Sequence, residues 1–142
     1  MKILILCTGN SCRSQMAEGY LQSLDKTLTI YSAGTKPEHE INHYAVLVMK
    51  EIGIDISANY PKKVELFLDE EFHYVITVCD EAKETCPTFY GFVENMLHYG
   101  FEDPAKAQGT EEEILQKYRK IRDQIIQQFD QFYDIELMSN QY

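Results

Sequence analysis

The spacing of apolar residues changes several times along the chain, and each change predicts an element. MKILILC, at the N-terminus, holds an apolar run with no polar alternation, the pattern of a strand covered on both faces. Behind it, Met16, Ala17, Tyr20, Leu21 and Leu24 recur at helical spacing. LTIYSAG predicts a second strand stopped by Gly34, and INHYAVLVMKEIG a helix with Gly53 as its C-terminal stop. YVITVC, residues 74–79, is another continuous apolar run, and a weaker strand is expected over 95–99. Thr110 followed by Glu113 is a capping-box signature. It opens a long helix whose Ile114, Tyr118, Ile121, Ile125, Phe129 and Phe132 form one apolar stripe, expected to pack on the core rather than pair in a coiled coil.

Strands alternating with helices predict an α/β fold. The expectation is one domain over 1–142, a four-stranded parallel sheet flanked by helices on both faces. In open sheets of this class, ligands sit in the crevice beyond the carboxyl ends of the strands. Cys7 and Cys79 each stand at the carboxyl end of an apolar run. If those strands are neighbours, both thiols open onto one crevice.

Composition then narrows the chemistry. The chain has 142 residues and a formal charge of −10, which suits one core and argues against a nucleic-acid partner, since such binding leans on Lys and Arg. No apolar stretch approaches the roughly 20 residues of a spanning helix, and the N-terminal run is too short for a signal peptide. A monomer in the cytoplasm, with no membrane partner, is expected. Four cysteines in such a setting direct attention to metal or redox chemistry rather than to a structural disulfide framework. The spacings C-x4-C and C-x6-C differ from the tight pairs of structural zinc sites, so no metal site is expected. His39, His43, His73 and His98 fall in no ligand or triad spacing.

CTGNSCRS, residues 7–14, lies between the first strand and the first helix. A short loop at that junction can aim several backbone N–H groups at one point, where the helix dipole adds positive potential. Gly9 permits backbone angles that other residues resist, and Asn10 tolerates left-handed geometry. Arg13 brings a planar two-pronged donor suited to a tetrahedral oxyanion. Thr8, Gly9, Asn10, Ser11, Cys12 and Arg13 are therefore expected to form a cup for a phosphate-like dianion, with Cys7 at its floor. The same field suits Cys7 to act as a nucleophile, and Ser14 can donate a hydrogen bond to its sulfur.

CTGNSCRSQMAEG resembles the phosphate-binding loop and first helix of the low-molecular-weight protein tyrosine phosphatase superfamily, and within it the thioredoxin-coupled arsenate reductases. The resemblance continues through YSAGT, GIDIS, VITVC, CP and GFEDPA. It implies that Asp103, just before a proline, is the acid that protonates the leaving oxygen. It also implies that Cys7, Cys79 and Cys86 form a disulfide relay that reduces arsenate to arsenite. Thioredoxin then supplies the electrons, with no bound cofactor. Phosphotyrosine hydrolysis through a Cys7 phosphoenzyme is the alternative, and phosphatase turnover also stands as a side activity.

Six residues separate Cys79 from Cys86. On an intact helix their sulfurs would lie about 10 Å apart along the axis, whereas a disulfide needs Cα atoms within about 7 Å. A bond between them requires unwinding, and Pro87 already weakens helical continuity. Where the tyrosine phosphatases carry an aromatic after Asp-Pro, this chain reads DPAKAQ. Phe89, Tyr90 and Phe92 could wall a ring instead, although core or lid packing is their expected use. Cys12 is expected to support the loop, outside the relay. Asn10, Glu18 and Ser32 resemble residues that hold a monovalent cation in some reductases of the family. Here Lys62 and Lys63 stand near the place of the acidic residue those members add, so a lysine is expected to supply the positive charge directly.

Overall fold

The computed structural model describes residues 1–80 and 88–138. Strand β1 (Lys2–Cys7) leads into helix α1 (Arg13–Leu24), followed by β2 (Thr29–Gly34) and α2 (His43–Lys50). A 3-10 turn over Val64–Phe67 precedes β3 (Glu71–Thr77) and β4 (Phe92–His98). A second 3-10 turn, Pro104–Lys106, leads to α3 (Glu111–Phe132), which runs on into a π-helical turn, Tyr133–Met138.

The four strands form one parallel sheet in the order β2-β1-β3-β4. β1 is central, which explains its lack of alternation: Ile3, Leu4, Ile5 and Leu6 are all fully buried. Ile3, Ile5 and Cys7 join the core beneath α1, α2 and α3, whereas Leu4 and Leu6 face a second core with Val64, Phe67, Phe72 and Phe89. Helical segments thus cover both faces unequally, with three α-helices on one and the Val64–Phe67 turn on the other. Burying each β1 side chain is worth about 1.5–3 kcal/mol, so this strand anchors both layers.

Element bounds shift where pairing or capping overrides the apolar pattern. β3 starts at Glu71 and stops at Thr77, because its pairing with β4 begins at Glu71↔Phe92; Cys79 lies two residues past the strand. β4 spans Phe92–His98 rather than 95–99. Its outer side is open, with Phe92 and Met96 exposed, so no buried apolar run marks it. α2 begins only after Asn42, whose side chain accepts from the N–H groups of Tyr44 and Ala45. The Thr110–Glu113 capping box is present in both directions.

A charged clasp fastens α2 to α3. The Glu51 carboxylate accepts from Arg119 Nε and Nη2 and from Arg122 Nη1, which also reaches the Val48 carbonyl at 2.8 Å. Arg119, and with it Arg122, holds the Glu51 carboxyl below its ordinary range. A depressed carboxylate stabilises the fold above its unfolded pKa and loses that contribution as pH falls through the folded value. Glu51→Gln is expected to lower the melting temperature at pH 7 by no more than about 2–4 °C, the scale of a solvent-exposed ion pair. Thermal melts of the two proteins should converge at pH well below the ordinary glutamate range.

Candidate active site

The turn from β1 into α1 is built by directing its carbonyls away from its own centre. Thr8 O accepts from the Lys36 amide at 3.0 Å, Gly9 O from the Glu38 amide at 2.9 Å, and Ser11 O from the Asn42 amide at 2.9 Å. Asn10 O accepts from Gln15 Nε2 at 3.1 Å, and Cys12 O from the Met16 amide at 2.9 Å in the first turn of α1. In a trans peptide plane the C=O and the next N–H point in opposite directions. Anchoring the carbonyls of 8–11 outward therefore turns the amides of 9–12 inward. The Asn10 amide follows this rule, donating to Cys7 Sγ at 3.2 Å. Cys12 caps α1 with no side-chain hydrogen bond, and the first turn holds no acidic residue. The helix N-terminus thus keeps its positive potential for an anion.

Asn10 is the pivot of the loop. It is the one non-glycine with positive φ among the described residues, at 51°, and it is fully buried. Its Nδ2 donates to Ser14 Oγ at 2.8 Å, and its Oδ1 accepts from the Lys62 amide at 2.9 Å. Ser14 Oγ lies 2.9 Å from Cys7 Sγ. Because that oxygen already accepts from Asn10, its own hydrogen can point to the sulfur. Gln15, also fully buried, ties the rear of the loop to the Tyr60 carbonyl at 3.1 Å. Gly34 must be glycine: a Cβ there would stand 2.4 Å from Thr8 O.

Arg13 is 5% exposed. Its Nη1 donates to Phe101 O at 3.1 Å, and its Nη2 stands 3.8 Å from Asp103 Oδ2. Asp103 caps the Pro104–Lys106 turn, accepting from the Ala105 amide at 3.0 Å. A cavity of about 770 Å³ lies over the loop, lined by residues 7–13 together with Lys36, Asp103, Leu68 and Tyr90. One tetrahedral oxyanion at the loop would leave much of that space open. The structure therefore brings together Cys7, the loop 8–12, Arg13, Ser14 and Asp103.

The remaining cysteines divide. Cys12 packs in the main core with Cys7 and Met16. Burial, then the Asp103 charge, pushes its thiol well above the ordinary range, with Arg13 opposing. β1 and β3 are neighbours, with Leu6 opposite Thr77 and the Val78 amide donating to Leu6 O at 2.9 Å. Strand adjacency therefore agrees with the sequence expectation. The shared crevice differs: Cys79 is fully buried, disulfide-bonded and not among the residues lining the cavity, while Cys7 and Cys12 are free thiols. β3 ends two residues before Cys79, which therefore lies beyond the paired strand. Cys86 and Pro87 lie outside the described residues. Of the three aromatics considered as ring walls, Phe89 packs in the core against Phe72, Tyr90 lines the cavity and Phe92 is exposed on β4.

Behind the loop, burial raises the Glu18 carboxyl, with Ser32 and Lys62 opposing. Burial likewise lowers the Lys62 amine, with Glu18 opposing. Lys62 Nζ donates to the Tyr60 carbonyl at 3.0 Å. Among the described residues, no group of three or more His, Cys, Asp or Glu is arranged to hold a metal ion. Sequence reasoning missed Gln15, Asn42 and the Phe101 carbonyl. Gln15 left one signal, a polar residue beside Met16 and Ala17 on the apolar stripe; a backbone carbonyl leaves none.

An arsenate reductase of Halalkalibacterium halodurans is 46% identical over 124 residues, which cover 87% of this chain and 88% of that protein. One from Bacillus subtilis is 44% identical over 131 residues, covering 92% and 93%. Among solved structures, an arsenate reductase in the phosphate binding state superposes with a TM-score of 0.77 at 28% identity, over 92% of this chain and 95% of that one. An arsenate reductase in the oxidized state gives 0.75 at 27% identity, over 92% and 94%. Residues 2–141 match the family described as low molecular weight phosphotyrosine protein phosphatase. With a match of that extent on a four-stranded parallel sheet, the chain belongs to the low-molecular-weight phosphotyrosine protein phosphatase family.

Proposed function

We propose that this protein reduces arsenate to arsenite, with Cys7 as nucleophile and Cys79 and Cys86 as a relay recycled by thioredoxin. The observation that carries the reading is the loop 8–12 itself. Its carbonyls are anchored outward, the Asn10 amide donates to Cys7 Sγ, and that sulfur also faces Ser14 Oγ. Relatives named arsenate reductase at 44–46% identity support the choice of arsenate, and the structural relative in a phosphate binding state supports an oxyanion ligand.

In this mechanism the amides of 9–12 and the Arg13 guanidinium hold the oxyanion. The Cys7 sulfur bonds to arsenic, and Asp103 gives a proton to the departing hydroxyl, which leaves as water. Cys79 then attacks the Cys7 sulfur. The S–As bond breaks with its electron pair left on arsenic, so As(V) becomes As(III) as the Cys7–Cys79 disulfide forms. Cys86 attacks Cys79 and frees Cys7, and thioredoxin reduces the resulting Cys79–Cys86 bond. No bound organic cofactor is needed, because both electrons come from the protein partner. Cys79, disulfide-bonded in this structure, must be reduced before it attacks Cys7.

Hydrolysis of aryl phosphates is the second reading. The size of the cavity and the Leu68 and Tyr90 side chains on its wall favour it as a side activity. The protein is proposed to act in the cytoplasm as a monomer; among the described residues, no helix is long and apolar enough to cross a membrane.

Arsenate-dependent NADPH oxidation with thioredoxin and its reductase tests the relay. Cys7→Ser, Cys79→Ser and Cys86→Ser are each expected to lose arsenate turnover. The latter two should retain hydrolysis of a small aryl phosphate. Robust arsenate turnover without Cys79 would overturn the relay, and cleavage of phosphotyrosine peptides with no arsenate turnover would favour the second reading.

With Lys62 beside Glu18, potassium is expected to change turnover by less than about twofold, since the site already holds its own cation. Strong activation by potassium in the same assay would contradict this. Iodoacetamide should label Cys7 in the native protein and Cys12 only after unfolding. The buried Cys12 thiol resists ionisation, and alkylation requires the thiolate; peptide mass spectrometry reads the difference.

A further inference from the structure

The geometry points to Asn42 as a positioning residue of the oxyanion cup, acting through the Ser11 carbonyl and locked in place by Tyr118. The inference rests on the oxyanion-binding reading of the loop 8–12 and adds a residue outside that loop.

Three polar groups of Asn42 engage three separate elements. Its backbone N–H donates to Ser11 O at 2.9 Å. Its Oδ1 accepts from the Tyr44 and Ala45 amides at 2.9 and 3.1 Å, capping α2. Its Nδ2 donates to Tyr118 Oη on α3 at 2.9 Å. The backbone at Asn42 is extended, with φ −67° and ψ 126°, as an N-cap requires. The cap and the tyrosine bond together fix the amide plane of the side chain, and through it the direction of the backbone N–H.

That direction matters because of what lies on the other side of the Ser11–Cys12 peptide. Holding Ser11 O outward is what presents the Cys12 N–H to an anion. The other front anchors, the amides of Lys36 and Glu38, come from exposed residues. Asn42 instead connects the segment to Tyr118, which is 2% exposed and packs its ring on Tyr44 at 5.3 Å. Asn42 is therefore the hydrogen-bonded link by which segment 35–42, and with it this side of the cup, is tied to α3, next to the apolar packing of Ile41 on the core.

Two substitutions separate this role from general stability. Tyr118→Phe keeps the ring and removes the acceptor for Nδ2. Asn42→Ser keeps an oxygen able to cap α2 but cannot reach Tyr118. Inorganic phosphate is the probe, titrated calorimetrically into the reduced full-length protein, with melting temperatures and arsenate kinetics measured alongside.

Each variant is expected to weaken phosphate binding about fivefold, the scale of one net hydrogen bond. The Michaelis constant for arsenate should rise by a similar factor, with kcat within about twofold of wild type. The double variant should bind phosphate no more weakly than either single one, because both break the same link. An unchanged phosphate affinity in a folded Tyr118→Phe protein would overturn the inference even if its melting temperature falls, and so would additive losses in the double variant. If Asn42→Ser does not fold, Tyr118→Phe alone decides. Wild-type protein that binds no phosphate would instead refute the oxyanion-binding reading, a different result.

Discussion

A peptide loop can surround an anion only if its carbonyls face elsewhere, and every part of this site depends on that constraint. A carbonyl turned inward would repel the ligand, and one left buried without a donor would cost about as much as a lost hydrogen bond. The chain meets both demands by supplying outside donors: the amides of Lys36, Glu38 and Asn42 in front, and the side chain of Gln15 behind. The cup is thereby organised before any ligand arrives, the condition under which oriented dipoles act without reorganising. The positive φ of Asn10 is the strained element in this arrangement, and its hydrogen bonds to Ser14 and Lys62 hold it there.

The charge of the protein makes this local organisation necessary. A formal charge of −10 opposes the approach of a dianion from a distance, although salt screens such fields beyond about 10 Å. Binding must therefore come from groups at the site. Arg13 is nearly buried and held by Phe101 O, with Asp103 alongside. A guanidinium in such surroundings acts through a lower effective dielectric than one on the surface. Asp103 beside it balances the charge, and this places the proposed proton donor at the mouth of the cup.

The sheet sets where the two cysteines of the proposed relay stand. Pairing of β1 with β3 brings the chain around Val78 next to Leu6, so the backbone leading to Cys79 passes close to the loop. The Cys79 side chain nonetheless has no exposed surface and does not line the cavity. In this buried, disulfide-bonded form Cys79 is shielded from solvent and presents no thiolate to Cys7. The buried position thus separates the two halves of the proposed reaction, binding at the cup and electron transfer from Cys79.

Much of the fold was legible because its signals are local. The continuous apolar run of β1, the stripe along α3 and the capping box at Thr110 each depend on neighbours in sequence, and each appears as expected. In CTGNSCRS the left-handed backbone of Asn10 and the inward place of Arg13 were legible for the same reason, whereas Gly9, expected to take an unusual backbone angle, has no positive φ. β4 was only half visible, because an edge strand with Phe92 and Met96 exposed lacks a buried pattern. The bracing partners were invisible: Asn42 and Tyr118 are 76 residues apart, and Arg13 and Phe101 are 88 apart. By itself the sequence determined the strand-loop-helix setting of Cys7 and Arg13 and the chemistry that suits them to the proposed oxyanion. Only the tertiary structure decided which distant donors hold those residues in position and that Cys79 lies beneath the surface, because both follow from contacts between segments that no local pattern records.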